Sequence, residues 1–296
     1  MGGRMTDPGV LAFERHYGLP HPCWESFAKR LDKLDAEAQQ VAWRAAVETW
    51  LTELARALSV DAMVYASERV LLLGSAAAEP LTTFAEKTLV YVDRLLDGIG
   101  SVERSSPHVI IVFDSIERYY DYVDYYHTES GEYGASAGMF VNHGYPQTVV
   151  GPGEPSDRRA TIAHELTHDY LSNLELPRWI EEGLAQLVEQ YAAGYQSAGL
   201  NREQQQRHRD HWSSAGLEPF WTGEAFGMPD ESQELAYQLA LTLIRSIISD
   251  AAEKTAEFVR QAHYSDAGEA AAQQVFGHSL VDYVGAFTGP PERSGT

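Results

Sequence analysis

The chain has 296 residues, of which 44% are hydrophobic and 11% aromatic, a composition typical of a globular protein rather than a disordered one. Its formal net charge of −21 disfavours binding to DNA, RNA or anionic lipid, because each of these would be repelled. No apolar run approaches the ~20 residues that a membrane span needs. We therefore expect no nucleic-acid partner and no membrane, and solubility explains the acidic surface better than a basic substrate does.

Cysteine occurs once, at Cys23, so no disulfide can form within the chain. The N-terminus also lacks the continuous apolar core of a secretory signal. Together these two observations favour a cytoplasmic location.

The first ~60 residues are predicted to be helical. Residues Trp43, Val47, Trp50, Leu54 and Leu58 recur at the three- and four-residue steps of one helix face. This stretch carries no histidine or charged cluster that indicates chemistry. We treat residues 1–64 as an N-terminal helical segment.

Residues ~65–152 alternate between strand and helix patterns. The apolar runs Val70–Leu73 and Val109–Phe113 predict buried strands, and an amphipathic helix ending near Gly98 separates them. Two more short strands follow, separated by the turn signal Asn142–Gly144. This part is therefore predicted to be a small sheet covered by helices.

From Ser156 onward the patterns predict only helices. A first helix, capped by Ser156 or Asp157, should end near Asn173. Pro177 suits the first position of a second helix, which stops at Gly194. Further helices are predicted at ~231–249, ~251–263 and ~279–286. The fold class indicated by the whole pattern is α+β.

The first of these helices carries the motif His-Glu-x-x-His, at His164, Glu165 and His168. Residues four apart lie on one helix face with β-carbons about 6 Å apart, so both imidazoles can reach one ion at about 2.0–2.1 Å. Glu165 is turned ~100° from His164, where it can serve as a general base without ligating the ion. Such a motif arises by chance in a few per cent of sequences, so a structural helix with coincidental histidines stays an alternative.

A catalytic zinc ion takes three protein ligands and keeps one open position. Antiparallel packing of the two helices would bring Glu181 and Glu182 level with His168, at 1.5 Å per residue from the turn. Glu175 lies in the turn itself and fits less well. Periodicity leaves the choice within the pair open, although Glu181 flanks the apolar face and fits the helical wheel slightly better.

The stretch "HELTHDYLSNLELPRWIEEGLAQ" resembles the core of the gluzincin superfamily of zinc peptidases. It is most similar to the small bacterial peptidase-MA-like domains, and the resemblance extends over ~105–286. In that family the glutamate of a Trp-x-x-Glu-Gly-x-Ala segment is the third ligand, and the matching residue here is Glu182. The resemblance therefore implies one zinc ion held by His164, His168 and Glu182, with Glu165 as base, and Glu181 as the minority alternative.

The same resemblance implies the domain organisation. Residues 65–290 are expected to form a gluzincin-like (zincin) catalytic domain, with a small mixed sheet in 65–152 and a helical part with the metal site in 153–290. The N-terminal helical segment precedes this domain, and residues 291–296 form a tail.

Further residues have expected roles by resemblance. Tyr237 corresponds to a tyrosine that donates a hydrogen bond to the oxyanion, and Gly138–Gly151 to an edge strand that binds extended peptide. Aminopeptidases of this kind carry a glutamate in that strand, and "SAGMFVN" has none, which favours an endopeptidase. Gln186 stands where thermolysin-like relatives have an aspartate that orients a histidine ligand.

Two other features receive simpler interpretations. His208 and His211 have the spacing of a second metal pair, but a polar, solvated helix explains them better. Asp169, next to His168, is predicted to be a helix-surface acid.

The sequence thus predicts a zinc-dependent metallopeptidase that acts on a peptide or protein substrate. The alternative is a noncatalytic protein in which the same scaffold binds metal and a partner. The oligomeric state stays open.

Overall fold

The computed structural model describes residues 11–58, 61–96, 106–126, 136–195, 197 and 199–288. The predicted tail at 291–296 and the predicted helix end at Gly98 lie outside these residues. The elements up to the sheet's last strand are β1 (Phe13–His16), β2 (Leu19–Pro22), α1 (Trp24–Leu31), α2 (Ala36–Leu58), β3 (Met63–Ala66), β4 (Val70–Gly74), α3 (Glu79–Leu95), β5 (His108–Val112), α4 (Ile116–Val123), β6 (Gly138–Val141) and β7 (Gln147–Val150). The helices that follow are α5 (Pro155–Leu171), α6 (Arg178–Ala193), α7 (Arg202–Ala215), α8 (Glu218–Trp221), α9 (Glu231–Gln261), α10 (Glu269–Phe276) and α11 (Leu280–Thr288).

The architecture is mixed α+β, as the sequence predicts. The chain divides into two compact units, the first made of Met1–Leu89 and Glu103–Asp169, and the second of Val90–Val102 and Tyr170–Thr296. In the described part of the chain, no helix has both the length and the apolar character required to cross a membrane.

The first unit contains a five-stranded mixed sheet in the order β3-β4-β5-β7-β6. Strands β4, β5 and β7 pair in parallel, whereas β3 and β6 lie antiparallel at the two edges. Every residue of β4 and of β5 is buried, which explains why both strands are continuously apolar in sequence rather than alternating.

The N-terminal region departs from the all-helical prediction. Strands β1 and β2 form a hairpin before α1, and their turn residues Tyr17 and Gly18 have φ of 47° and 79°. Positive φ at both turn positions matches the twist of two-residue hairpins. The sequence pair Tyr-Gly gives a weaker turn signal than Asn-Gly, so the helical prediction for this stretch was wrong.

Aromatic packing joins the N-terminal helices to the sheet within the first unit. Trp24 contacts the rings of Trp50 and Tyr145, each at a centroid distance of 5.5–5.6 Å. A β-carbon on Gly144 would lie 2.3 Å from Trp24 Cδ1, so the turn after β6 can approach this indole only with glycine.

The second unit contains the helices from α6 to α11, and α6 packs along α9. Helix α6 begins at Arg178, so Pro177 is its N-cap rather than the predicted first helical residue. The helix stops at Gly194, whose φ is 75°, as the sequence predicts. The predicted break near residue 250 is also confirmed, because Ala251 has non-helical φ and ψ of −153° and 60° inside α9.

Candidate metal centre

Helix α5 presents its two histidines on the side away from its apolar stripe. Ile162, Ala163 and Leu166 are completely buried, whereas His164 and His168 are only partly buried. The imidazole rings of the two histidines have centroids 5.0 Å apart and planes at 62°. Their i,i+4 spacing therefore places them side by side on one face.

Glu182 supplies the third donor of the cluster. One ligand atom each from His164, His168 and Glu182 lie within 4.8 Å of one another. Around a tetrahedral zinc ion with bonds of about 2.0–2.2 Å, ligand atoms lie roughly 3.3–3.6 Å apart, which falls within this limit. Two imidazoles and one carboxylate also match the donor set of catalytic zinc sites. The residues present therefore fit a zinc ion.

The burial of α6 differs from the single apolar face that periodicity predicts. That face consists of Ile180, Leu184, Leu187 and Tyr191, yet Leu187 is only partly buried and Tyr191 is 57% exposed. Glu182, in contrast, is 5% exposed, and its neighbour Gly183 lies against α9. The predicted apolar face is therefore confirmed at Ile180 and Leu184, which are completely buried, and wrong at Tyr191. The burial of α6 does not follow the single face on which the helical-wheel preference for Glu181 was based.

Gly183 permits the close approach of α6 and α9. A β-carbon at this position would lie 2.6 Å from Ile244 Cγ1 and 2.7 Å from the carbonyl oxygen of Ala240. These distances are too short for any side chain, so packing against α9 requires glycine directly after Glu182.

Arg178 lies one helical turn before Glu182 and forms an ion pair with it. The distance from Arg178 Nε to Glu182 Oε1 is 3.5 Å. The sequence reasoning missed this residue, although an arginine and a glutamate four apart on a helix are a readable signal.

Glu165 lies next to His164 and is partly buried. Its charge acts electrostatically on Tyr119 of α4, a completely buried tyrosine. Burial, together with a smaller contribution from the Glu165 charge, raises the pKa of Tyr119 to about 12, so this phenol stays protonated at neutral pH.

Asp169 is not the surface acid that the sequence predicted. It is 1% exposed, and its Oδ2 lies 2.6 Å from Nδ1 of His108, at the start of β5. A buried carboxylate requires such a partner, and the pair fixes α5 to the central strand directly after His168.

Tyr237 lies on α9, which packs along α6. Its main chain contacts α6 at Gln186, one helical turn after Glu182. The side-chain amide of Gln186 donates to the Tyr237 carbonyl oxygen at 2.9 Å and to the Glu182 carbonyl oxygen at 3.3 Å. The Tyr237 ring is partly buried and makes an edge contact with Phe226, with centroids 5.2 Å apart. The Gln186 side chain thus bonds to the main chain of both Glu182 and Tyr237, two of the predicted functional residues.

Strand β6 occupies one edge of the sheet and begins against α5. A β-carbon on Gly138 would lie 2.4 Å from Thr161 Cγ2, so the start of the strand touches α5 one turn before Glu165. The predicted peptide-binding segment Gly138–Gly151 thus contains the edge strand β6 and its partner β7.

The prediction that His208 and His211 lie on a polar, solvated helix is wrong for His208. His208 is completely buried, and its two ring nitrogens contact Gln238 Oε1 at 3.1 Å and Trp212 Nε1 at 3.2 Å. His211 Nδ1 lies 3.4 Å from Glu231 Oε1. Helix α7 is therefore not solvated all round, and His208 is a hydrogen-bonded core residue.

Neither a scan against models of known protein families nor a search among curated proteins gives a match for this chain.

Proposed function

We propose that the protein is a zinc-dependent peptidase with a gluzincin-like catalytic domain, and that it cleaves within peptide or protein chains. The observation that carries this proposal is the cluster of His164, His168 and Glu182, whose ligand atoms lie within 4.8 Å of one another. The glutamate that follows His164 supports a catalytic role, because a purely structural metal site has no use for a base beside it.

Each residue has a defined task in this proposal. A bound zinc ion supplies Lewis acidity, which lowers the pKa of a water molecule toward about 7 and polarises the substrate carbonyl. Glu165 accepts a proton from the attacking water and then donates it to the leaving nitrogen. The Tyr237 hydroxyl donates a hydrogen bond to the carbonyl oxygen as that oxygen gains negative charge.

The edge strand β6 supports an extended substrate. Its start packs against Thr161, one helical turn before Glu165, so a peptide added along this edge would run past the proposed base. Residues Gly138–Val141 contain no carboxylate to bind a free amino terminus, which favours an endopeptidase.

The proposal is tested by cleavage-site profiling of a peptide library with the wild-type protein and Glu165→Gln. Both proteins, purified without chelator or polyhistidine tag, should contain one zinc ion per chain. The variant should lose at least ~100-fold in turnover, the scale expected for a general base. Unchanged turnover in Glu165→Gln would contradict the assignment of the base.

Two other results would each overturn the peptidase proposal. Stoichiometric zinc without cleavage of any peptide would indicate a noncatalytic metal-binding protein that uses the scaffold for a partner. The absence of stoichiometric metal would indicate a structural helix pair with coincidental histidines.

A further inference from the structure

Arg178 contacts the proposed third ligand directly. Its Nε lies 3.5 Å from Glu182 Oε1, and the Glu182 side chain is 7% exposed while that of Arg178 is 50% exposed. The ion pair thus joins a buried carboxylate to a guanidinium that is half exposed to solvent. Coulombic attraction at this distance favours carboxylate orientations that keep Oε1 toward the guanidinium.

Gly223 and Phe226, which follow α8 in the chain, also pack against Arg178. The Phe226 ring centroid lies 5.7 Å from the guanidinium carbon Cζ, a cation–π distance. Gly223 has φ of 86°, and a β-carbon there would lie 3.2 Å from Arg178 Cβ, so the turn lies flat against the aliphatic stem. Arg178 is therefore packed along its stem and over its head, although half of it is exposed.

We propose that Arg178 is a positioning residue that orients the Glu182 carboxylate toward the two histidines and so raises the affinity of the site for a divalent cation. A carboxylate has two oxygens, so the same side chain can make the ion pair and a metal bond. Partners that orient a metal ligand typically contribute 10–100-fold to metal affinity. The inference rests on the metal site of the proposed function, but not on peptide cleavage.

The opposing effect is repulsion between the guanidinium and the cation. Arg178 is half exposed, so water screens its charge at the metal position, whereas the orientation of a buried carboxylate depends on direct contact. Orientation should therefore outweigh repulsion.

The test measures zinc affinity of the metal-free full chain by competition with a chelating dye. Arg178→Met keeps the apolar stem over Gly223 and Phe226 and removes the charge, and we expect it to bind zinc at least ~10-fold more weakly. Arg178→Lys restores the charge and should recover part of the loss. Equal or tighter zinc binding by Arg178→Met would overturn the inference.

A matched control exists on α2. Arg44 Nε lies 3.1 Å from Glu48 Oε1 with the same i,i+4 spacing, and its side chain is 48% exposed. Arg44→Met should leave zinc affinity unchanged. A loss equal to that of Arg178→Met would mean that any such ion pair affects the protein nonspecifically, which would also overturn the inference.

Cobalt(II) provides a readout that general destabilisation would not change. With cobalt at saturation, Arg178→Met should show altered visible absorption bands relative to wild type, because the geometry of the carboxylate ligand changes, and Arg44→Met should not. Identical spectra would overturn the inference. A wild-type protein that binds neither cobalt nor zinc would overturn the inference and the proposed function together, whereas metal binding without cleavage would overturn only the peptidase.

Discussion

Asp169 Oδ2 lies 2.6 Å from His108 Nδ1, and both side chains are at most 5% exposed. The pair connects the metal-binding helix α5 to strand β5, 61 residues earlier in the chain. It therefore fixes the height of α5 on the sheet at the residue directly after His168. A buried carboxylate is stabilised by such a partner, and its burial without one would lower the free energy of unfolding.

Replacing Asp169 with alanine should destabilise the protein by about 1–3 kcal/mol, because the buried hydrogen bond to His108 would be lost. The free energy of unfolding of the metal-free protein in urea measures this. Asp121→Ala is the control, since Asp121 pairs with the exposed Arg118 at 3.3 Å and should cost no more than about 1 kcal/mol. Equal effects of the two substitutions would contradict a special role for the buried pair.

The choice between two adjacent glutamates gives a second prediction. Glu182→Gln should weaken zinc binding by more than the ~10–100-fold that loss of an orienting partner costs, because it removes an anionic ligand. Glu181→Gln changes the neighbouring residue, which lies outside the cluster of ligand atoms, and should bind zinc like the wild type. Chelator competition on the two variants measures both affinities, and a larger loss in Glu181→Gln would reverse the assignment.

Local signals in the sequence predicted the helix that carries the histidines and the ends of the next one. Pro177 and Gly194 set the limits of α6 through backbone conformation, which depends on few neighbours. The continuous apolar runs likewise predicted β4 and β5. These features are encoded within a few residues and need no knowledge of the fold.

Two of the missed features, the burial of α6 and that of Asp169, depend on distant partners. Helix α6 is buried on more than one side, with Trp179, Glu182 and Val188 all inside, so a single-stripe helical wheel could not rank its glutamates. Asp169 has a polar neighbourhood in sequence, and only the approach of His108 makes it a core residue. Sequence periodicity reports one amphipathic face, whereas burial is decided by every element that packs on the helix.

A third prediction concerns the glycine that follows Glu182. Gly183→Ala should destabilise the protein by about 1–3 kcal/mol, since the new β-carbon would lie 2.6 Å from Ile244 and 2.7 Å from a backbone oxygen of α9. Gly285→Ala in α11 is the control, because nothing lies within 4 Å of its β-carbon position. Alanine there should stabilise the helix by up to about 1 kcal/mol. Urea unfolding should give opposite signs for the two variants, and equal stability would contradict the close approach of α6 and α9.

The fourth prediction is a pH dependence of stability that arises from His21. Burial, and secondarily the charge of His16, lower the pKa of His21 from 6.5 to about 3 in the folded protein. Between these two values the unfolded chain binds a proton that the folded chain does not, so stability falls as the pH drops below about 6.5. From pH 7 to pH 5 this contribution amounts to up to about 2 kcal/mol.

The matched variant for this effect is His21→Phe, which keeps a ring to stack on Tyr125, whose centroid lies 3.8 Å from that of His21. The wild type should lose more stability than the variant between pH 7 and pH 5, while both share the contributions of every other group. Parallel stability curves over this range, measured by urea unfolding, would show that His21 titrates normally.

The fifth prediction concerns Tyr237. Tyr237→Phe keeps the edge contact with the Phe226 ring, at a centroid distance of 5.2 Å, and leaves the carbonyl that accepts from Gln186 unchanged. It removes the hydroxyl and keeps the ring, and since Tyr237 is not among the proposed zinc ligands, zinc content should not change. If the hydroxyl donates to the developing oxyanion, kcat on a cleaved peptide should fall about 10²–10³-fold with little change in KM. Tyr191→Phe, on the exposed side of α6, should retain full activity. Equal kcat values for Tyr237→Phe and the wild type would leave Tyr237 as a packing residue of α9 alone.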